Sequence, residues 1–226
     1  MMEDKFIKLS KDPLIFENFI SKDIENKIER VCEDCLQYFY NSMTSKEYNE
    51  RITGEWASRI EDGAQYVSSI YNWEDKIHNK ISESNQSYYE ILMYPFITSF
   101  FDLNLLFDVK NLIRVKINMQ MRDLAMKKGH INAPHADLST HDFQWLSGVY
   151  YVNDSDGDFH LFNETFDDLY SSDNVITLSL KDKITPKKGT LILFNGKYLH
   201  AGSHPMVSKN RIVINFNYRL HDLVRY

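Results

Sequence analysis

Cysteine is nearly absent: the 226 residues hold two, Cys32 and Cys35. They form CEDC in a stretch with helical periodicity, three residues apart and so on one face of the expected helix. One pair is too few for a four-thiolate zinc site, and no strand-to-helix junction makes it a redox CxxC. Packed or surface thiols are the expectation. Proline (5) and glycine (8) are also sparse. No strand–glycine-loop–helix unit suggests a phosphate cradle or a dinucleotide site, and no internal repeat suggests a solenoid. No apolar run approaches the length of a membrane span. The opening MMEDKFIKLSKDPLIF has no basic segment followed by an apolar one, so it does not read as a secretory leader, and a cytoplasmic location is expected. Positive charge is not in excess: 26 Lys and Arg stand against 32 Asp and Glu, a formal net charge of −6. That balance argues against a nucleic-acid backbone as the main partner.

Aromatic residues are plentiful, with 14 Tyr and 14 Phe, and suit a ring-lined core or pocket. The pattern changes near residue 109. Before it, Ser21 reads as a helix cap, and Ile24, Ile28, Val31, Cys35 and Leu36 recur at helical steps, predicting a helix over 22–42. Residues 44–84 are polar, with Trp56, Tyr66, Ile70 and Trp73 as anchors, and are equally readable as loop or short helix. Ser87 with Glu90 is a candidate capping box before a second helical stripe through Leu103, interrupted by Pro95. After residue 109, Val115, Ile117, Met119 and Met121 alternate with polar residues, which predicts a half-buried strand. Further strands are expected at 145–152, 159–162, 175–180, 190–194 and from 211, with turns at 153–158, 182–189 and 195–197. One domain over 1–226 is expected: helical support and a lid in 1–108, and a mostly β, jelly-roll core in 109–220, an α+β fold.

The sharp local feature is PHAD at 134–137. In extended backbone His135 and Asp137 project to the same side. Imidazole with carboxylate suits a borderline divalent metal. His200, in KYLHAGSH, follows an apolar strand and a turn and is the best third ligand. Two histidines and one carboxylate leave adjacent positions open for a cosubstrate and O₂. His130, His141, His160 and His204 are weaker rivals. Arg211 opens RIVINFNY and shares one strand face with Val213, Asn215 and Asn217. Its planar fork is suited to the far carboxylate of a dicarboxylate.

Taken together, PHAD, GVYYVND (148–154), GDFHLF (157–162), GTLILFNGKYLHAG (189–202) and NRIVINFNYRL (210–220) resemble the 2-oxoglutarate/iron(II)-dependent dioxygenase superfamily, near its prolyl-hydroxylase-like branch. The resemblance covers about residues 109–220. It implies a double-stranded β-helix (jelly roll, cupin-like), iron held by His135, Asp137 and His200, and 2-oxoglutarate held by Arg211 with Tyr151 beside it. It also implies hydroxylation of an unactivated C–H with release of succinate and CO₂, O₂ being the co-reactant. Two departures stand out. The strand before HxD carries no tyrosine, so either Asn118 or Met121 takes its place or the pocket is organised differently. A usual glycine pair is reduced to Gly157 between Asp156 and Asp158. An intact Asp137 favours hydroxylation over halogenation, which needs a small residue there, and leaves desaturation open. The expected substrate is a peptidyl residue, proline among them, or a small metabolite. Residues Thr44–Glu83 and Gly129–Ala133 are positioned for a lid. The alternatives are a jelly-roll metalloenzyme of another activity, a nucleobase-oxidising dioxygenase and a non-catalytic binding sandwich.

Overall fold

The computed structural model describes residues 12–42, 49–72, 88, 91–93, 111–138, 140, 142–170 and 175–220. In chain order these form β1 (Leu14–Phe16), α1 (Lys22–Arg30), β2 (Phe39–Asn41), β3 (Ile52–Thr53), β4 (Gln65–Asn72), β5 (Leu112–Met121), β6 (Gln144–Tyr151), β7 (Phe159–Thr165), α2 (Phe166–Tyr170), β8 (Ile176–Thr177), β9 (Leu180–Ile184), β10 (Leu191–Asn195), β11 (Tyr198–Gly202) and β12 (Asn210–Leu220). Seven strands make one sheet, ordered β1-β10-β6-β12-β5-β4-β2. A smaller sheet is ordered β11-β7-β9, and β3 pairs with β8 in parallel. An isolated bridge joins His135 to His200, adding the HxD segment to the free edge of β11. No closed barrel forms among the described residues, and none of their helices is long and apolar enough to cross a membrane.

Alternation of side chains in the strands sets the layers. On the outer face of the large sheet, Val115, Ile117, Leu191, Leu193, Ile212, Ile214 and Phe216 pack against Ile20, Ile28, Val31 and Cys32. Their neighbours Val149, Tyr151, Ile192, Phe194 and Val213 point inward and meet Phe159 and Leu161 of the small sheet. The outer face of the small sheet is covered in turn by Ile52, Trp56 and Ile131, which pack on Phe162, Leu199 and Ala201. The core is therefore a mostly β, two-sheet structure with an N-terminal helix laid on one face.

The helix expected over 22–42 stops at Arg30 and gives way to a π-helical turn, Val31–Cys35. Acidic Asp23 and Glu25 in its first turn, and Lys27 and Arg30 in its last, suit the helix dipole. Ser21 is extended but makes no side-chain cap bond. Leu36 is extended, Tyr38 Oη donates to the Cys32 carbonyl at 2.8 Å, and Phe39–Asn41 pairs with β4 instead of continuing the helix. The wider turn also separates the cysteines: Cys32 is buried and Cys35 exposed.

Strand β4 lies in the stretch that the pattern left as loop or short helix. A register shift between Ser69 and Tyr71 breaks its alternation, which hides the strand period. The segment expected as one strand at 175–180 is two, because Leu178 turns into the small-sheet cover and Ser179 bonds Glu164 and Asn163. Tyr198–Gly202, which follows a turn and carries no strand expectation from its pattern, is the strand β11. Of the second helical stripe, Ile91–Met93 are helical with Leu92 and Met93 buried. The Ser87–Glu90 capping box and Phe96–Leu103 lie outside the described residues.

Gly148 on β6 faces Phe216 on β12 across the sheet. A Cβ at this position would stand 2.2 Å from the Phe216 ring. Gly148→Ala should therefore destabilise the fold by about 1–3 kcal/mol through overpacking. Phe216→Leu made alongside should recover part of that loss. Urea unfolding of the two single variants and the double variant measures the coupling, and simple additivity would contradict the contact.

Candidate metal centre

The sheet geometry carries His135 and His200 to one point. His135 donates its backbone N–H to the His200 carbonyl at 3.0 Å, and His200 returns the bond at 2.9 Å. Residues paired in this way across an antiparallel bridge project to the same face. Their ring centroids are 4.8 Å apart. Asp137 follows two residues on, and its Oδ2 lies 3.7 Å from His200 Nε2. One ligand atom from each of the three residues lies within 4.8 Å of the others.

The imidazoles are oriented by the backbone. His135 Nδ1 is 2.9 Å from the Ala133 carbonyl, and His200 Nδ1 is 3.1 Å from the Tyr198 carbonyl. A carbonyl only accepts, so each Nδ1 carries the proton and each Nε2 keeps its lone pair free for a metal. Burial, then the neighbouring His200, pulls His135 down to about 4, and burial also lowers His200. Both rings are therefore neutral near pH 7, as ligation requires. Burial would raise the Asp137 carboxyl, but His200, Arg114, Lys116 and His135 outweigh it and hold it well below the usual range.

Asp137 sits in a nest of donors. Its Oδ2 accepts from Ser147 Oγ at 2.8 Å, Asn217 Nδ2 at 3.0 Å and Asn215 Nδ2 at 3.1 Å. Its Oδ1 accepts from Arg114 at 3.2 Å, and Arg114 Nε donates to Asn217 Oδ1 at 3.0 Å. The sequence reading did not single out Arg114 or Ser147, although Arg114 stands on the polar face of a recognised strand. Asn215 and Asn217 were visible as companions of Arg211 on one strand face, but their aim at Asp137 depends on the packing of the two sheets.

Arg211 lines the same pocket as the three ligands, with Asn118, Gln120, Phe159 and Lys116 also on its walls. It is buried, and burial lowers its pKa. Its Nη1 donates to Gln120 Oε1 at 3.1 Å, its Nε has no hydrogen-bond partner among the described residues, and its guanidinium carbon lies 6.0 Å from the centre of the Tyr151 ring. Glycine makes room for it: a Cβ at Gly202 would lie 2.7 Å from Nη1, and one at Gly157 would lie 3.0 Å from Cδ and 2.5 Å from the Ser203 carbonyl. Asp156 and Asp158, flanking Gly157, have work of their own. Asp156 accepts from the backbone N–H groups of Met206, Val207 and Ser208, and Asp158 pairs with Lys183.

Asn118 faces the pocket with its Oδ1 buried and unbonded among the described residues, whereas Met121 ends the strand in an exposed position outside it. None of the described rival histidines joins the cluster. His130 lies 2.6 Å from Glu61, His160 packs edge-on against Trp56, and His204 bonds Asn132. His141 lies outside the described residues. Of the loop expected to be lid-like, Ile131, Asn132 and Ala133 are buried, and Asn132 donates its backbone N–H to Gly202. That half of the loop is fixed to the small sheet.

No protein-family model and no curated sequence matches the chain. Solved structures do match in fold. An oxidoreductase of the 2OG-Fe(II) oxygenase family from Burkholderia pseudomallei is 11% identical with a TM-score of 0.55, over 98% of this chain and 92% of that one. The non-heme α-ketoglutarate-dependent epimerase SnoN from nogalamycin biosynthesis is 8% identical with a TM-score of 0.57, over 96% and 82%. A Trichoplax adhaerens prolyl hydroxylase, solved with a hypoxia-inducible-factor peptide, is 14% identical with a TM-score of 0.52, over 97% and 87%. At these identities the likeness is one of fold, and the chain shares theirs.

The histidines give the metal-free fold a pH dependence. His135 and His160 are both held near 4, below the ordinary 6.5, chiefly by burial. As pH falls below about 6.5 the unfolded chain takes up protons that the folded protein refuses until near 4. Stability from these groups should thus be full above about 6.5 and decline toward 4. Urea midpoints across that range should fall with pH, with a shallower fall in His160→Gln. A flat profile would contradict the buried neutral state.

Proposed function

We propose that the protein is an Fe(II)- and 2-oxoglutarate-dependent oxygenase on a double-stranded β-helix, hydroxylating a C–H of a peptidyl residue or of a small metabolite. The observation that carries this reading is the meeting of His135, Asp137 and His200 in one pocket with the buried Arg211. The strand orders also support it, with β10-β6-β12-β5 facing β9-β7-β11 and the HxD segment beyond β11. So does the likeness in fold to a 2OG-Fe(II) oxygenase family member, an α-ketoglutarate-dependent epimerase and a prolyl hydroxylase.

The donor set fits the ion: two neutral imidazoles and one carboxylate suit Fe(II) and leave coordination positions for other ligands. Bound Fe(II), with 2-oxoglutarate and O₂, supplies the oxidising power, the cosubstrate leaving as succinate and CO₂. The chain's own residues supply placement. His135, Asp137 and His200 hold the ion, and the Ala133 and Tyr198 carbonyls fix the two rings. Arg211 takes the far carboxylate of 2-oxoglutarate by charge-assisted bonds, braced by Gln120 and flanked by Tyr151. Asn118 lines the pocket where a tyrosine is expected in similar enzymes, and its side-chain N–H₂ is the group able to donate to a carboxylate there. Val149, Phe159 and Val213 give the wall an apolar stretch that limits water. Asp137 fills the place that a halide would need, so hydroxylation is the expected outcome.

Anaerobic titration with Fe(II) and 2-oxoglutarate tests the reading, followed by succinate release in air. Wild type should show a weak visible absorption that requires both components. His135→Ala should abolish it. Arg211→Ala should keep metal binding and weaken 2-oxoglutarate by about ten- to a hundredfold, as expected for a charge-assisted anchor of about 1.5–3 kcal/mol. Folded, metal-loaded wild type without affinity for 2-oxoglutarate would overturn the assignment in favour of another metal chemistry.

A further inference from the structure

The metal pocket contains a cation that the reading above does not use. Lys116 stands on β5 opposite Asn215 of β12, on the face that also carries Arg114, Asn118 and Gln120. It is half-buried and lines the pocket with the three ligand residues and Arg211. Among the described residues, no hydrogen bond or ion pair engages its Nζ. The neighbouring cations differ: Arg114 is committed to Asp137 and Asn217, and Arg211 to Gln120.

The charge balance of the pocket is one-sided. Asp137 is the one carboxylate on its described walls, and Arg114, Ser147, Asn215 and Asn217 already donate to it. With Asp137 balanced by Arg114, a divalent ion plus Lys116 and Arg211 leaves four positive charges. A 2-oxo dicarboxylate brings two negative ones. The remainder is a cationic pocket, in which Asp137, already shared with Arg114, is the one carboxylate set against the half-buried Lys116. Burial and then Arg114 pull Lys116 down to about 8 against the opposing pull of Asp137, so in the metal-free pocket it is still mostly charged near pH 7. Asn118 beside it, with an unbonded buried oxygen, could take an N–H from the same ligand.

We propose that Lys116 anchors a carboxylate subsite in this pocket, and that the carboxylate belongs to the substrate bound beside 2-oxoglutarate. The substrate class is then an acid with a free carboxylate, such as an amino acid or a chain terminus, not a neutral mid-chain residue. This rests on the oxygenase reading. The one other source of the same chemistry is the metal-side carboxylate of 2-oxoglutarate itself.

The test uses full-length protein loaded with Ni(II), which holds the site without turnover, and isothermal titration of wild type, Lys116→Met and Lys116→Arg. The probes are 2-oxoglutarate, 2-oxobutyrate (which lacks the far carboxylate), and N-acetylproline and N-acetylleucine, each against its amide, with and without 2-oxoglutarate present. Ni(II) stoichiometry and circular dichroism report folding. Expected are acids at least tenfold tighter than amides in wild type, no difference in Lys116→Met and a partial difference in Lys116→Arg. The 2-oxoglutarate affinity should move less than threefold. If 2-oxoglutarate and 2-oxobutyrate instead both weaken tenfold in Lys116→Met, the carboxylate is the cosubstrate's and the substrate assignment is overturned. If no carboxylate depends on Lys116, the subsite is overturned outright. Wild type that binds the acids through Lys116 but ignores 2-oxoglutarate would keep the subsite and overturn the cosubstrate reading instead.

Discussion

The arrangement depends on one buried anion. Asp137 lies between two sheets, where an isolated carboxylate is expensive to desolvate. It is kept ionised there by donors from three adjacent strands: Arg114 from β5, Ser147 from β6, and Asn215 and Asn217 from β12. Those donors are in place only if β5, β12 and β6 pair in the observed register, Asn217 opposite both Arg114 and Ser147. Slipping any of these strands by one residue would turn its donor to the helix-covered face and bring an apolar side chain to the carboxylate. The fold and the site therefore specify each other, and the polar layer that holds Asp137 also fixes the sheet.

The same alternation makes much of this legible in the sequence. The polar face of 114–120 and the Arg211–Val213–Asn215–Asn217 face could be read as faces, and the PHAD, KYLHAG and NRIV pieces as a set of ligands and an anchor. Which way the faces turn could not be read. A strand with Arg114, Lys116, Asn118 and Gln120 on one side is normally wet on that side. Here that side points into the protein, because the apolar side is taken by Ile28, Val31 and Cys32. An inward polar face is how a β-sheet protein builds a charged interior site, and it marks function where local patterning suggests solvent.

The elements that escaped the sequence share a physical cause: their period is broken locally and restored only by pairing. Strand β4 carries a bulge, β11 is five residues long and has a register shift of its own against β7, and the helix after Arg30 is unwound by a π turn before Phe39–Asn41 joins β4. Each takes its conformation from a partner distant in sequence. His200 shows the consequence. Its sequence marks it as a candidate ligand, but its placement comes from β11 and the two backbone bonds to His135, which sequence spacing does not reveal.

Burial has opposite consequences for the two kinds of nitrogen in the pocket. For His135 and His200 it removes the proton and so prepares the ring for a metal, without any charged partner being required. For Arg211 and Lys116 it lowers the pKa, opposed by Asp158 for the first and by Asp137 for the second, so cations are held in a pocket with a single carboxylate on its described walls. Neutral imidazoles beside a carboxylate suit a divalent ion, and the cations set behind them leave the pocket rich in positive charge. An apolar wall at Val149, Phe159 and Val213 strengthens this by lowering the local dielectric. On the reading proposed above, the individual cations then decide where each negative group of a bound ligand comes to rest.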